Sequence, residues 1–267
     1  MRAPGTRGWG PARCLAQALP ARTANPHQAS DAVSVPLVRW DAPGPYTVAF
    51  STRQGGVSAG AFESLNLGLL TEDEQRHVEE NRRRLCEAVG AEPGRLAMNR
   101  QVHAATVNRA QPGMRGNEGD GLWSDEPCLP MLKLTADCLP IALARRNGSP
   151  GLALLHAGRL GLLAGIVEAG VRALGGPLAA VVGPGIGPCC YEVGPEIADA
   201  YRQRLGPDTV KGRNLDLWTA SERALRAAGV DSVERLDLCT ACEADRFFSH
   251  RRDGGRTGRQ GVIGFVA

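Results

Sequence analysis

The chain of 267 residues is 43% hydrophobic and only 4% aromatic, and its 31 basic and 28 acidic residues leave a net charge of +3. Arginine is scattered along it instead of gathered in one block, so a nucleic-acid surface is not indicated, and no apolar run approaches the roughly 20 residues that cross a bilayer. Eight cysteines in a chain of this length, with a vicinal pair and no convincing export signal, are expected to be reduced thiols in the cytoplasm rather than a disulfide framework.

Residues 1–35 hold several Arg, Pro and Ala but few acids, and read as a disordered extension ahead of one domain over 36–267. In that domain YTVAFST (46–52) is predicted as a strand and RQGGVSAGAFESLNLG as a polar, Gly-rich loop. DEQRHVEENRRRLCEAVG carries Val78, Leu85 and Val89 at helical spacing with Gly90 as its stop, and His77 falls on the charged, solvated face. RLAMNRQVHAATVNRA is predicted as a strand bearing His103, and CLPMLKLTADCLPIALARR as strand material around Cys138. The apolar run GLALLH ends at His156, and RLGLLAGIVEAGVRALGG after it has helical periodicity. LAAVVGPGIGPCCYEVG reads as a strand followed by a Gly/Pro-rich loop, and PEIADAYRQRLG and LWTASERALRAAGV as helices. VERLDLC is predicted as a last inner strand, and RFFSHRRDGGRTGRQGVIGFV as a basic loop and an edge strand. Strands and helices alternate without an internal repeat, which predicts one α/β domain.

Of the five histidines, His27 falls in the extension and His77 on a solvated face, which leaves His103, His156 and His250. His103, Cys138 and His156 are of zinc-ligand type and sit at predicted strand ends. Two imidazoles and a thiolate are the three-ligand pattern of a catalytic zinc, where a bound water's pKa falls toward about 7. Spacing alone favours inert core packing, and it also allows a metal-free pair with Cys138 as nucleophile and His156 as base. Cys189, Cys190, Cys239 and Cys242 offer a structural zinc site, a weaker reading because vicinal cysteines seldom ligate one ion well and only one CxxC is present. GPGIGPCCYEVGPEI is either an anion cradle or a tight turn. Arg246, Arg251, Arg252, Arg256 and Arg259 crowd one loop, where guanidinium forks suit phosphate or carboxylate.

The series STRQGGVSAG, SLNLG, ENRRRL, QVH, TADCLP, LHAG, GPGIGPCCYEVG and CTACEADRFFSHRRDGGRTGRQ resembles, in that order, the YfiH-like laccase-domain proteins. The resemblance covers about residues 45 to 265 and implies a layered α/β/β/α arrangement. It implies a metal triad of His103, Cys138 and His156, polar pocket residues at Arg53, Asn66 and Gln101, and substrate or phosphate contacts at Tyr191 and Arg251. It also implies purine nucleoside phosphorylase and adenosine deaminase activity with zinc, copper being the other candidate, and purine nucleoside and phosphate as partners rather than nucleic acid or membrane. Asp137 and Asp120 are the carboxylates expected to move protons. A four-copper oxidase would need about ten histidines by ligand preference, more than the chain holds. One departure stands out: the family reads HAGWRG where this chain has HAGRLG, so Arg159 and Leu160 replace Trp and Arg. A metal-free cysteine hydrolase of a cell-wall amide, or a non-enzymatic editing factor for cell-wall precursors, are the rival readings.

Overall fold

The structure is a computed structural model that describes residues 34–267. The expected extension, with His27 and Cys14, lies outside the described residues except at its end, where Val35 already packs against the core. In chain order the elements are β1 (Leu37–Trp40), β2 (Tyr46–Ser51), α1 (Gln75–Ala88), β3 (Val107–Arg109), β4 (Gly121–Ser124), β5 (Met131–Thr135), β6 (Leu139–Arg145) and β7 (Leu152–Ala157). There follow α2 (Arg159–Ala164), α3 (Ile166–Leu174), β8 (Leu178–Val182), α4 (Pro195–Leu205), β9 (Val210–Lys211), β10 (Asn214–Leu215), α5 (Leu217–Ala227), β11 (Ser232–Arg235) and β12 (Gln260–Val266). A six-stranded mixed sheet runs β11-β8-β6-β7-β4-β3, a four-stranded antiparallel sheet runs β1-β2-β12-β5, and β9 and β10 form a small hairpin.

Why β6, β7 and β8 read as unbroken apolar runs follows from their position: every side chain except that of Arg145 is buried. Alternate residues serve two cores, as strand geometry requires. Ile141, Leu143, Leu155, Ala180 and Val182 face a layer built by α2 to α5, which contributes Leu162, Ile166, Tyr201 and Leu225. Ala142, Ala144, Leu154 and Val181 face the second sheet, meeting Val48, Phe50, Met131 and Val262. The small alanines on that side let two sheets approach closely. The outer face of the second sheet, with Ala49, Leu132, Ile263 and Phe265, is covered by Leu85 and Cys86 of α1. The order helices, sheet, sheet, helix is the expected α/β/β/α fold.

Several elements differ from expectation. β11 is an edge of its sheet and β12 lies between β2 and β5, the reverse of the predicted assignment, because tertiary pairing and not local pattern decides which strand is inner. The predicted strand bearing His103 is replaced by turns, and only Val107–Arg109 is strand. The helical run after His156 breaks at Gly165, whose φ of 90° is the left-handed conformation that glycine tolerates best. No helix among the described residues is long and apolar enough to cross a membrane. Cys86, Cys138, Cys189, Cys190, Cys239 and Cys242 carry free thiols, but Cys128 is disulfide-bonded, so the expectation of reduced thiols does not extend to it.

Candidate metal centre and its cavity

Sheet direction brings the candidate residues together. β6 and β7 pair antiparallel with Pro140 opposite His156, so Cys138, just before β6, and His156, near the end of β7, share one end of the large sheet. β4 is antiparallel to β7 and starts at that same end, which places Asp120 there, and the turn before β3, parallel to β4, delivers His103. Cys138 itself sits where the chain crosses from one sheet to the other, between β5 and β6.

The donor atoms of His103, Cys138 and His156 lie within 4.8 Å of one another. Cys138 Sγ is 3.9 Å from His103 Nε2, and the two imidazoles meet edge to face at 4.9 Å between centroids. Metal bonds of about 2.0–2.1 Å to nitrogen and 2.3 Å to sulfur give tetrahedral edges near these spacings. Gly158 closes the cradle: a Cβ there would stand 2.7 Å from Cys138 Sγ and 3.1 Å from His103 Cδ2. The donor set and its spacing therefore fit a metal, and this group could hold one.

Asp120 organises the centre. Its fully buried carboxylate accepts from the backbone N–H groups of Val102 (3.1 Å), His103 (3.0 Å) and Ala104 (2.8 Å), and from His156 Nδ1 (2.7 Å). That last bond fixes the tautomer of His156, leaving Nε2 for a metal, the arrangement in which a carboxylate orients a histidine ligand. The three backbone bonds hold His103 at φ 60°, a conformation that L-residues seldom adopt. Burial works to raise the Asp120 carboxyl, but the hydrogen bonds from His156 and the backbone outweigh it and hold it down to about 2, so it stays ionised. Burial drives the His156 imidazole down to about 4, more than its carboxylate partner raises it.

Asp137, at φ 92°, is also engaged: Thr240 Oγ1 and the Arg251 N–H each donate to it at 2.7 Å. Both carboxylates expected to move protons thus brace neighbouring turns, Asp120 with four accepted bonds and Asp137 with two. Burial pushes the Cys138 thiol up to about 12, so without a metal it is a thiol at neutral pH and offers no thiolate nucleophile.

The centre opens into a cavity of about 970 Å³. Gln101, Tyr191 and Arg251 line it as expected, with Gln101 clamped to Leu134 by two 2.8 Å bonds and Arg251 stacked 5.0 Å from the Tyr191 ring. Arg53 and Asn66 do not line it. Arg53 stacks on Phe248 and bonds to Glu63 and Ala244 carbonyls, while Asn66 is wholly buried against Asp73 and Thr71. The Gly/Pro loop is a packing device rather than an anion cradle: a Cβ on Gly183 or Gly187 would stand 2.2 Å from Phe50 or 2.5 Å from Trp218.

Arg82 and Arg115, which sequence reasoning missed, also face the cavity, as do Arg259 and His250 of the basic loop. Burial lowers the Arg82 guanidinium to about 10 and draws Arg115 and Arg259 down as well. Arg159, on the first turn of α2, reaches the same space and donates to Tyr191 Oη at 3.3 Å, whereas Leu160 is 49% exposed. Beneath the centre, Lys133 points between the two sheets, fully buried, donating to Asn99 Oδ1 and to the Gly119 carbonyl at 3.2 Å. Burial lowers its ammonium to about 7 against the pull of Asp120. The signal was present in MLKLT, where a lone lysine occupies the inward phase of an apolar strand.

An α/β/β/α fold with a two-histidine, one-cysteine group that could hold a metal, beside an arginine-lined cavity, defines the class of protein. The sequence pattern of the multi-copper polyphenol oxidoreductase laccase family matches residues 47–266, and the chain belongs to that family. It is 41% identical over 231 residues to a purine nucleoside phosphorylase of Pseudomonas aeruginosa, covering 82% of this chain and 93% of that one. The purine nucleoside phosphorylase YlmD of Geobacillus stearothermophilus is 37% identical, over 81% of this chain and 88% of its own length. Its crystal structure superposes with a TM-score of 0.78 at 33% identity, covering 84% of this chain and 93% of that chain. A Neisseria meningitidis protein matches with a TM-score of 0.77 at 31% identity, over 86% and 98% of the two chains. Among the described residues His103, Cys138 and His156 form the one histidine-containing group of three possible donors.

Proposed function

We propose that the protein is a cytoplasmic, zinc-dependent purine nucleoside phosphorylase that cleaves adenosine, inosine or methylthioadenosine with phosphate and also deaminates adenosine. The observation that carries this is the juxtaposition of a three-ligand centre with an arginine-lined cavity, in a chain whose relatives are named purine nucleoside phosphorylases. Zinc, held by His103, Cys138 and His156, would supply a Lewis acid beside the cavity.

The chain's own groups do the rest. Arg159 and Arg251, on either side of Tyr191, hold phosphate by charge-assisted bonds and aim an oxygen at C1′ of the ribose. The C1′–N bond breaks, leaving free base and ribose 1-phosphate. Asp120 and Asp137 position the ligand-bearing turns, and His250 on the cavity wall, which is not tied to those turns, takes the proton-moving role. In deamination, water adds at C6 and ammonia leaves.

The replacement of the family's Trp-Arg by Arg159-Leu160 keeps a guanidinium in the cavity, one position earlier. Arg159→Ala should therefore raise KM for phosphate about 10–100-fold, the worth of one or two charge-assisted bonds, with a much smaller change in KM for nucleoside. Purified protein incubated with adenosine should release adenine and ribose 1-phosphate only when phosphate is present, and inosine with or without it. Chelation should stop all products and zinc restore them. No product in any tube, or turnover indifferent to chelation, would sink this reading; the second result would revive the metal-free hydrolase.

A further inference from the structure

A second group of metal-type donors stands apart from the first. Cys189 and Cys190 lie in the loop after β8, and Cys239 and Cys242 in the loop after β11, strands that pair in parallel and end on the same side of the sheet. All four Sγ atoms fall within 4.8 Å of one another, with Cys242 3.5 Å from Cys189 and 3.4 Å from Cys190. Bonds of about 2.3 Å to a tetrahedral ion imply sulfur–sulfur edges of about 3.8 Å, close to this spacing. The vicinal pair, a poor prospect from sequence, places both its sulfurs against Cys242.

The backbone is arranged for thiolates. Gly187 N–H donates to Cys239 Sγ at 3.3 Å, and the N–H of Cys242, three residues on, is directed at the same sulfur. The two loops are already joined, since Gly185 N–H donates to the Leu238 carbonyl and Thr240 N–H to the Gly185 carbonyl, each at 3.1 Å. Four thiols with no covalent link among them have little reason to converge at the junction of two loops unless something is held there.

We propose that Cys189, Cys190, Cys239 and Cys242 form a second metal site, closed and structural, that takes a thiophilic divalent ion of the zinc type. Four protein ligands leave no open position, which separates it from the three-ligand centre. Its task is to staple two loops that build the cavity wall: Tyr191 follows Cys190 directly, and the segment after Cys242 leads to Arg251. It stands independently of the phosphorylase reading.

The test is metal analysis of the full chain, purified without a histidine tag, together with mass-spectrometric mapping of iodoacetamide-labelled cysteines. About two zinc ions per chain are expected in the wild type, and about one in each of Cys138→Ala and Cys239→Ser. In wild-type protein the four cysteines should resist alkylation until a chelator is added, then react together, a reading that does not depend on any variant folding. Only one zinc per chain in the wild type, two retained by Cys239→Ser, prompt alkylation of Cys189 and Cys242 before chelation, or a disulfide within the group in reduced preparations would each overturn the proposal.

Discussion

Cys138→Ala is expected to lose the metal of the three-ligand centre and, with it, at least about 10³-fold in kcat/KM, while remaining folded. A Lewis acid at the reacting centre is worth several kcal/mol, and each 1.36 kcal/mol is tenfold in rate, so about 4 kcal/mol gives that factor. The fold should tolerate the change because the residue is not fully buried and the one hydrogen-bond-type contact of its thiol is long, 3.9 Å to His103 Nε2. The side chain fills no part of the three hydrophobic cores. A thermal melt within a few degrees of wild type, zinc content lower by about one per chain, and lost turnover form the expected set. A variant that keeps its full zinc but loses turnover would instead mark Cys138 as a nucleophile. Retained zinc with retained turnover would remove the residue from the centre altogether.

The triad itself was legible because His103, Cys138 and His156 lie beside short motifs and at the ends of apolar runs. Strand-end position is a sequence property, and antiparallel pairing of β6 with β7 turns it into proximity. What the pattern of residues did not carry was conformation. His103 is not on a strand but on a turn at positive φ, and nothing in QVHAAT announces that three consecutive N–H groups will converge on a carboxylate 16 to 18 residues away. Asp120 and Asp137 were recognised as important carboxylates, but their bracing contacts were not legible, because these depend on partners distant in sequence, such as Thr240 and Arg251.

The same limit explains the other misplacements. Arg53 and Asn66 occupy motif-rich loops, yet packing turned them inward to brace those loops, while Arg82 and Arg115, in unremarkable positions, face the cavity. The CC and CxxC segments are about 50 residues apart, and only the parallel pairing of β8 with β11 brings their loops into contact. Strand order is likewise a global property: the run VERLDLC has the apolar content of an inner strand, yet β11 lies at an edge and the terminal β12 between two neighbours. The layered architecture was implied by the family resemblance, and its physical basis is that the unbroken apolar runs of β6, β7 and β8 leave no solvent face, which requires cover on both sides.

Asp120→Asn is the substitution expected to cost most in both stability and metal binding. The amide keeps one acceptor oxygen and introduces an NH₂ among groups that all donate, so at least two of the four bonds are lost. Bonds to a charged acceptor contribute about 1.5–3 kcal/mol each; allowing for the carboxylate's own burial, a net loss of about 3 kcal/mol, or roughly 6–12 °C in Tm, follows. His156 loses the partner that fixes its tautomer, which should weaken metal affinity about 10–100-fold beyond any effect on folding. The pH dependence separates these contributions. In metal-free wild type the Asp120 carboxyl lies near 2 and the His156 imidazole near 4, both below their ordinary values of about 3.9 and 6.5. The unfolded chain therefore binds more protons as pH falls, first at the histidine and then at the carboxylate, and stability linked to this pair is present above about pH 6.5 and declines on acidification. The gap between wild type and Asp120→Asn should be constant from neutral pH down to about 4 and narrow as pH falls further toward 2, where the carboxylate itself takes up a proton. Equal melting temperatures and equal metal affinity for the two proteins at pH 7 would show that the buried carboxylate organises neither the turn nor the histidine.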